Sequence, residues 1–220
     1  MNIDNVRDRD REVKPLYWGY LLVFLAVGIW SGIGAFDPVL WLLEAGMCVV
    51  GVVVLIWTYK RFPLTDITYF FILLHTIVLF IGAHYSYAEV PAFNWLRDEF
   101  GMARNNFDKV GHFMQGFVPA FIAREVLIGL KVINKKSWLP FLVVSICLAI
   151  SAFYELIEWW VAVLSADGAE DFLGTQGYEW DTQSDMLMAM IGAICMIVLF
   201  SKRQDRQIEQ LKKSKQIESK

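Results

Sequence analysis

The sequence predicts an all-α, polytopic membrane bundle of about six transmembrane helices with both termini cytoplasmic, and three observations carry that expectation. The chain is 56% hydrophobic and 20% charged, with a mean hydropathy of +0.44, where soluble domains have roughly 45–50% and about 25%. Charged residues are absent between Lys14 and Asp37, between Asp66 and Glu89, and between Lys136 and Glu155. Each gap approaches the run of about 20 apolar residues that a helix needs to cross a bilayer. Finally, Lys and Arg sort by loop, which sets orientation.

Taken in order, span one is expected over 16–36, opened by Pro15, where a missing N–H costs little. Its apolar run is about twice the 7–15 residues of a signal-peptide core, so a retained helix is expected. Gly28 and Gly32 have the spacing that lets helices approach closely. Span two (39–58) follows Pro38, and its continuous apolar run Gly51 to Trp57 lacks the alternation of a barrel strand. Span three (66–88) carries His75 at its middle, read as a satisfied core histidine. Span four (109–130) ends near Arg124 and Glu125, placed for snorkelling or a structural ion pair. Spans five (138–163) and six (185–201) complete the bundle. The domain plan is thus a cytoplasmic tail 1–15, a transmembrane domain 16–201 and a cytoplasmic tail 202–220, the last a frayed extension of span six.

Sixteen Lys and Arg fall in the two tails and the loops after spans two and four, against three (Arg97, Arg104, Lys109) on the other side. The 21-residue segment Ser165 to Asp185 has six acids and no base, which suits the outer side. The net charge of −3 argues against a nucleic-acid partner. Cys48, Cys147 and Cys195 lie in apolar runs without metal-ligand spacing and read as small core hydrophobes.

Chemistry must come from polar residues that a bilayer normally excludes. Asp108 and His112, four apart, share a face of span four, and Gln115 continues it. On span five Glu155 and Glu158 share a face, with Ser151 one turn deeper; Asp181 and Asp185 repeat the four-residue spacing at the entry to span six. The alternating topology brings all three helix ends to a similar outer depth. At about 1.5 Å per residue, Glu44 and His84 also fall in the outer half. Ionisable groups at membrane depth are functional candidates that normally face the bundle interior. Asp108, His112 and Glu155 are the catalytic candidates; Arg104, Gln115, Glu158, Asp181 and Asp185 are the ligand-binding candidates. His112, Glu155 and Asp185 are the candidate ligands of a divalent metal. The plainer alternative is that acids near helix ends are interfacial, Asp181 above all, or serve the helix dipole. Trp159 and Trp160 suit an outer aromatic belt.

The stretches Arg104 to Phe113, Tyr154 to Trp160, Gly174 to Gly177 and Trp180 to Asp185 resemble the YjdF family of bacterial inner-membrane proteins over nearly the whole chain. That resemblance implies a location and no particular reaction. A wider similarity runs to VanZ-like membrane proteins through Asp108, Lys109, His112 and Phe113, then Glu155 with Glu158 at a glutamine position, then Asp185 with Gly192. Ala189 stands where that group usually has Asn, and its preceding Arg is absent.

The expected function is a multi-pass inner-membrane protein whose periplasmic His/Asp/Glu site binds an envelope ligand or a metal. The alternative is a membrane-embedded hydrolase or transferase acting on a lipid-linked envelope substrate, with His112 as general base and Asp108 orienting it. No HExxH, GxSxG or phosphate-cradling glycine loop accompanies the site. The expected partners are the lipid bilayer and a lipid-linked or small envelope ligand.

Overall fold

Seven α-helices and two short 3-10 turns make up the described residues, 12–164 and 178–218, of the computed structural model, with no strand among them. The helices are α1 (Pro15–Gly32), α2 (Pro38–Tyr59), α3 (Asp66–Tyr85), α4 (Pro91–Phe100), α5 (Phe107–Gly129), α6 (Leu139–Leu164) and α7 (Asp181–Glu218). Proline opens α1, α2 and α4, where its fixed φ is already helical. Gly101 ends α4 in the left-handed conformation at φ 61°, which only glycine adopts without strain.

Five helices, α1, α2, α3, α6 and α7, are long and apolar enough to cross a membrane. Large apolar side chains stand outward on them, with Leu22 69%, Trp57 71% and Val198 73% exposed. Such surfaces are sustained by lipid rather than by water. At 23 residues α5 is as long as its neighbours but more polar, with His112, Arg124 and Glu125 buried on it. It packs against α3, α6 and α7, so its composition answers to protein neighbours instead of lipid.

Contacts along the helices give their directions. Tyr17 bonds Asp66 near the starts of α1 and α3, and Ser31 donates to the Phe80 carbonyl at 2.6 Å near their ends, so these two run parallel. Lys109 meets Asp185 at 2.5 Å and, further along, Arg124 donates to Gln204 at 2.9 Å, so α5 and α7 are parallel too. Thr68 meets Glu125 and Phe71 stacks on Phe121, which makes α3 antiparallel to α5. The starts of α1 and α3 therefore lie at the same end as the end of α5 and the segment around Gln204 of α7. We call this the basic end, and the other the site end.

Two apolar cores share α3. Phe24, Ala45, Cys48 and Phe80 join α1, α2 and α3. Ile67, Phe117, Phe121, Val143, Cys147, Ala193 and Met196 join α3, α5, α6 and α7. Along α5 and α7 the backbones touch: a Cβ on Gly116 would fall on the Ala189 carbonyl, and one on Gly192 on the Phe113 carbonyl. Small residues alone permit such an approach.

Several expectations change. Span one stops at Gly32, not 36, and span three at Tyr85, not 88, because Ser86 takes φ 64° and turns Tyr87 back beneath Gly82 and Gly111. Residues 91–100 form an additional helix. The extension expected beyond 201 is helical rather than frayed: the last helix continues through Glu218, with Gln204 completely buried. Its 38 residues span about 57 Å, well beyond a hydrocarbon core of about 30 Å. Gly28 and Gly32 face the Phe80 and Trp41 rings, each with 3.1 Å from an added Cβ, so their close approach is used within the chain. His75 is not satisfied at both ring nitrogens, since its Nε2 is buried without a partner.

Arg124 and Glu125 form no ion pair with each other. Glu125 accepts from the Thr65 N–H at 2.9 Å, the Thr65 hydroxyl at 2.5 Å, the Thr68 hydroxyl and Gln204 Nε2 at 2.8 Å. Arg124 instead donates to Gln204 Oε1 at 2.9 Å and to Asp205 at 2.7 Å. This network ties α3, α5 and α7 together at the basic end.

Candidate functional site

The start of α5 is held by Asn105, whose side chain donates to the Val90 carbonyl at 3.0 Å and to Asn94 at 2.9 Å while accepting from the Phe107 N–H at 3.0 Å. The first turns of α5 then carry Asp108, Lys109 and His112 toward α6 and α7. His112 is 6% exposed. Its Nε2 lies 3.2 Å from Asp108 and 3.8 Å from Asp185; its Nδ1 lies 3.0 Å from Gln115 Oε1 and 3.7 Å from Glu155 Oε1. The parallel course of α5 and α7 is what brings Asp185 here, because Gly116 and Ala189 touch one turn further in.

Lys109, absent from the sequence-based set, is the hub of the ion pairs. It reaches Asp185 at 2.5 Å, Asp181 at 2.7 Å and Asp108 at 3.6 Å. Arg104 pairs with Asp181 at 2.8 Å and lies over the Tyr178 ring at 4.8 Å, leaving Nη1 buried and unpartnered. The sequence signal for Lys109 was its place beside Asp108 among the three bases of the acid-rich side. Its partners on α7 are 72 and 76 residues away, beyond any local pattern.

Glu155 is 8% exposed, and its Oε1 has no hydrogen-bond partner; the Ser151 hydroxyl, one turn deeper on the same face and fully buried, has none either. Glu158 is half-buried, within electrostatic reach of Glu155 and His112. Glu44 of α2 adjoins Tyr87 and lies within electrostatic reach of Asp108 and His112, with its Oε2 buried and unpartnered. His84 stands apart from this group, bonded to the Ser31 carbonyl at 2.9 Å beside the Trp30 ring. Trp159 and Trp160 are exposed. Residues 165–177, including the Gly174 to Gly177 stretch, lie outside the described residues.

Two chemical properties follow. The ion pairs join four carboxylates (Asp108, Asp181, Asp185 and Glu155) to two fixed cations, Arg104 and Lys109, with His112 between. Buried carboxylates in excess need protons or a further cation. Asp108, His112 and Asp185 also offer ligand atoms within 4.8 Å of one another. Metal–ligand bonds of about 2.1 Å in a tetrahedral site separate ligand atoms by about 3.4 Å. Of the sequence-based metal set, His112 and Asp185 fall in this group together with Asp108, whereas Glu155 lies on the side of the other ring nitrogen.

A bundle whose apolar helices surround a buried charged cluster defines a multi-pass helical membrane protein. The chain belongs to the family described as "Predicted membrane protein (DUF2238)", whose model matches residues 16–206. It is 43% identical over 199 residues to "Inner membrane protein YjdF" of Escherichia coli (strain K12), covering 90% of this chain and 95% of that protein. No solved structure matches it.

Proposed function

We propose that this protein is a six-span receptor of the bacterial inner membrane, the location in its relative's name, with a ligand- or metal-binding pocket opening toward the periplasm. In this reading α5 is the sixth span, both termini are cytoplasmic, and the transmembrane domain is 16–201 with tails 1–15 and 202–220. The site end is periplasmic because the opposite end carries most of the Lys and Arg. Reporter fusions at Lys220 are then expected to be active only as cytoplasmic reporters, and fusions between residues 165 and 185 only as periplasmic ones. The reverse pattern at either point overturns the orientation.

The observation that carries the pocket is Glu155 Oε1, buried, without a hydrogen bond and 3.7 Å from His112 Nδ1. A buried carboxylate oxygen left unpaired is costly, and a ligand donor supplies what it lacks. Asp108, His112 and Asp185 would hold a divalent ion. Lys109 now neutralises Asp185 and would be displaced. Arg104, Gln115, Glu158 and Asp181 complete the wall. The VanZ-like similarity belongs to this proposal, since Asp108, Lys109, His112, Glu155 and Asp185 are its residues. A hydrolase or transferase acting on a lipid-linked substrate is the second reading, favoured by the Asp108 carboxylate 3.2 Å from the imidazole that it would orient.

Glu155→Gln and His112→Gln keep size and hydrogen-bonding capacity. In detergent both variants are expected to melt close to the wild type while Zn2+ or Mn2+ binding, read by metal analysis and thermal shift, falls at least about tenfold, as loss of an inner ligand or its support implies. Early melting of both variants, together with no ion retained by the wild type, would return these residues to a packing role.

A further inference from the structure

We infer that the His112 pocket continues sideways into a polar crevice between α2 and the α5/α6 pair, which takes the primary ammonium head group of a membrane amphiphile. This deepens the pocket reading above by naming a ligand class, and it rests on that reading.

The crevice is defined by how little covers it. α2 packs against α3 and, less, against α1, without extended contact with α5, α6 or α7. Yet one of its side chains, Glu44, is directed inward, its carboxylate within electrostatic reach of Asp108, His112 and Tyr154. Beside it on α2, Leu43 and Met47 are exposed, as are Leu156 and Trp159 beside Glu155 and Glu158 on α6. Polar walls therefore adjoin surfaces that face lipid.

The chemistry of the walls selects the ligand. Glu44 Oε2, Glu155 Oε1 and the Ser151 hydroxyl are buried without hydrogen-bond partners. An ammonium offers three donors and no acceptor, which suits acceptors left without donors, and Tyr154 lies within electrostatic reach of both Glu44 and Glu155. The Tyr154 ring lies 6.3 Å from His112, and aromatic faces near an ammonium add cation–π attraction. An anionic head group is disfavoured beside Glu44 and Glu155, which are acids themselves, and the unpartnered Nη1 of Arg104 belongs to the residue that pairs with Asp181 of α7. A bare metal ion would use Asp108, His112 and Asp185 and leave the Glu44 side unanswered. An amphiphile entering from the bilayer keeps its chains in lipid while its ammonium reaches the carboxylates.

The test uses the full chain in nanodiscs containing phosphatidylethanolamine or phosphatidylglycerol, with retained lipid read by native mass spectrometry and stability by thermal shift. Wild type is expected to prefer the ethanolamine lipid, and Glu44→Gln to lose that preference by about tenfold, the loss expected for one hydrogen bond to a charged group. Zn2+ or Mn2+ binding by Glu44→Gln is expected to stay at the wild-type level. Ser151→Ala, a small change on a fully buried position, is expected to weaken lipid retention in the same direction. Equal retention of the two lipids by wild type overturns the inference, as does an unchanged preference in Glu44→Gln. Free ethanolamine that stabilises as strongly as the lipid overturns the lateral, membrane-borne source. If wild type binds ions but shows no head-group preference, only this inference fails; if it binds neither ion nor lipid selectively, the pocket reading fails with it.

Discussion

Glu125→Ala is expected to destabilise the folded bundle by about 1–3 kcal/mol or more, the cost of leaving a buried donor without its acceptor. Four donors now converge on that carboxylate: the Thr65 N–H, the Thr65 and Thr68 hydroxyls and Gln204 Nε2. Without it the Thr65 N–H loses its acceptor, while the two hydroxyls keep only each other and Gln204 Nε2 keeps the Phe121 carbonyl, at the point where α3, α5 and α7 meet and water is excluded. Glu125→Gln keeps an acceptor but brings an amide N–H toward donors, so an intermediate loss is expected. Unfolding in mixed micelles with increasing SDS measures both. The substitution lies about 20 Å along α5 from His112, at about 1.5 Å per residue, so folded Glu125→Gln is expected to bind ligand normally. A Glu125→Ala protein as stable as the wild type would show that the network is ornamental to the fold.

Gly116→Ala is expected to cost stability and ligand binding together. The added methyl falls on the Ala189 carbonyl, a backbone atom that cannot rotate away. α5 and α7 must separate or shift, and overpacking of this kind costs about 1–3 kcal/mol, sometimes more. Because Gly116 and Ala189 lie one turn from His112 and Asp185, the 3.8 Å approach of those two is expected to open as well. Gly46→Ala provides the control: nothing lies within 4 Å of its added Cβ, and it sits within α2. There the lower backbone entropy of alanine is expected to leave stability unchanged or raise it by about 0.5–1 kcal/mol. Melting of the three proteins in one detergent, with ion binding at each, checks the contrast. A Gly116→Ala protein that melts like Gly46→Ala would contradict the backbone contact.

Much of the fold was legible because hydropathy and proline act locally. The charge gap from Lys14 and the proline at 15 bracket α1, and Asp66 opens α3 where the sequence placed it. The end of α3 was not legible. Ser86 takes a positive φ there, and Tyr87 packs beneath glycines 82 and 111. The spacing of Asp108, His112 and Gln115 put them on one face because helical periodicity alone decides that. For Glu44 the sequence supplied the outer depth alone, and nothing near it in the chain shows that it is directed toward His112 while His84, at the same depth, stands apart. Lys109 entered the sequence reading as a site residue only through a motif resemblance, and its pairing was hidden for a related reason, since its partners Asp181 and Asp185 come from a helix two helices later.

Membership of the membrane and the approximate helix boundaries follow from the sequence by itself, because transfer from water to hydrocarbon sums over residues and needs no knowledge of neighbours. The pairing of particular charges was decided only by the tertiary structure. Parallel α5 and α7 meet backbone to backbone at Gly116, Ala189 and Gly192, and that contact sets the register in which Asp181 and Asp185 stand against Lys109, with Asp185 also beside His112. A carboxylate's partner depends on such three-dimensional register, whereas its cost of burial is already written in its residue type.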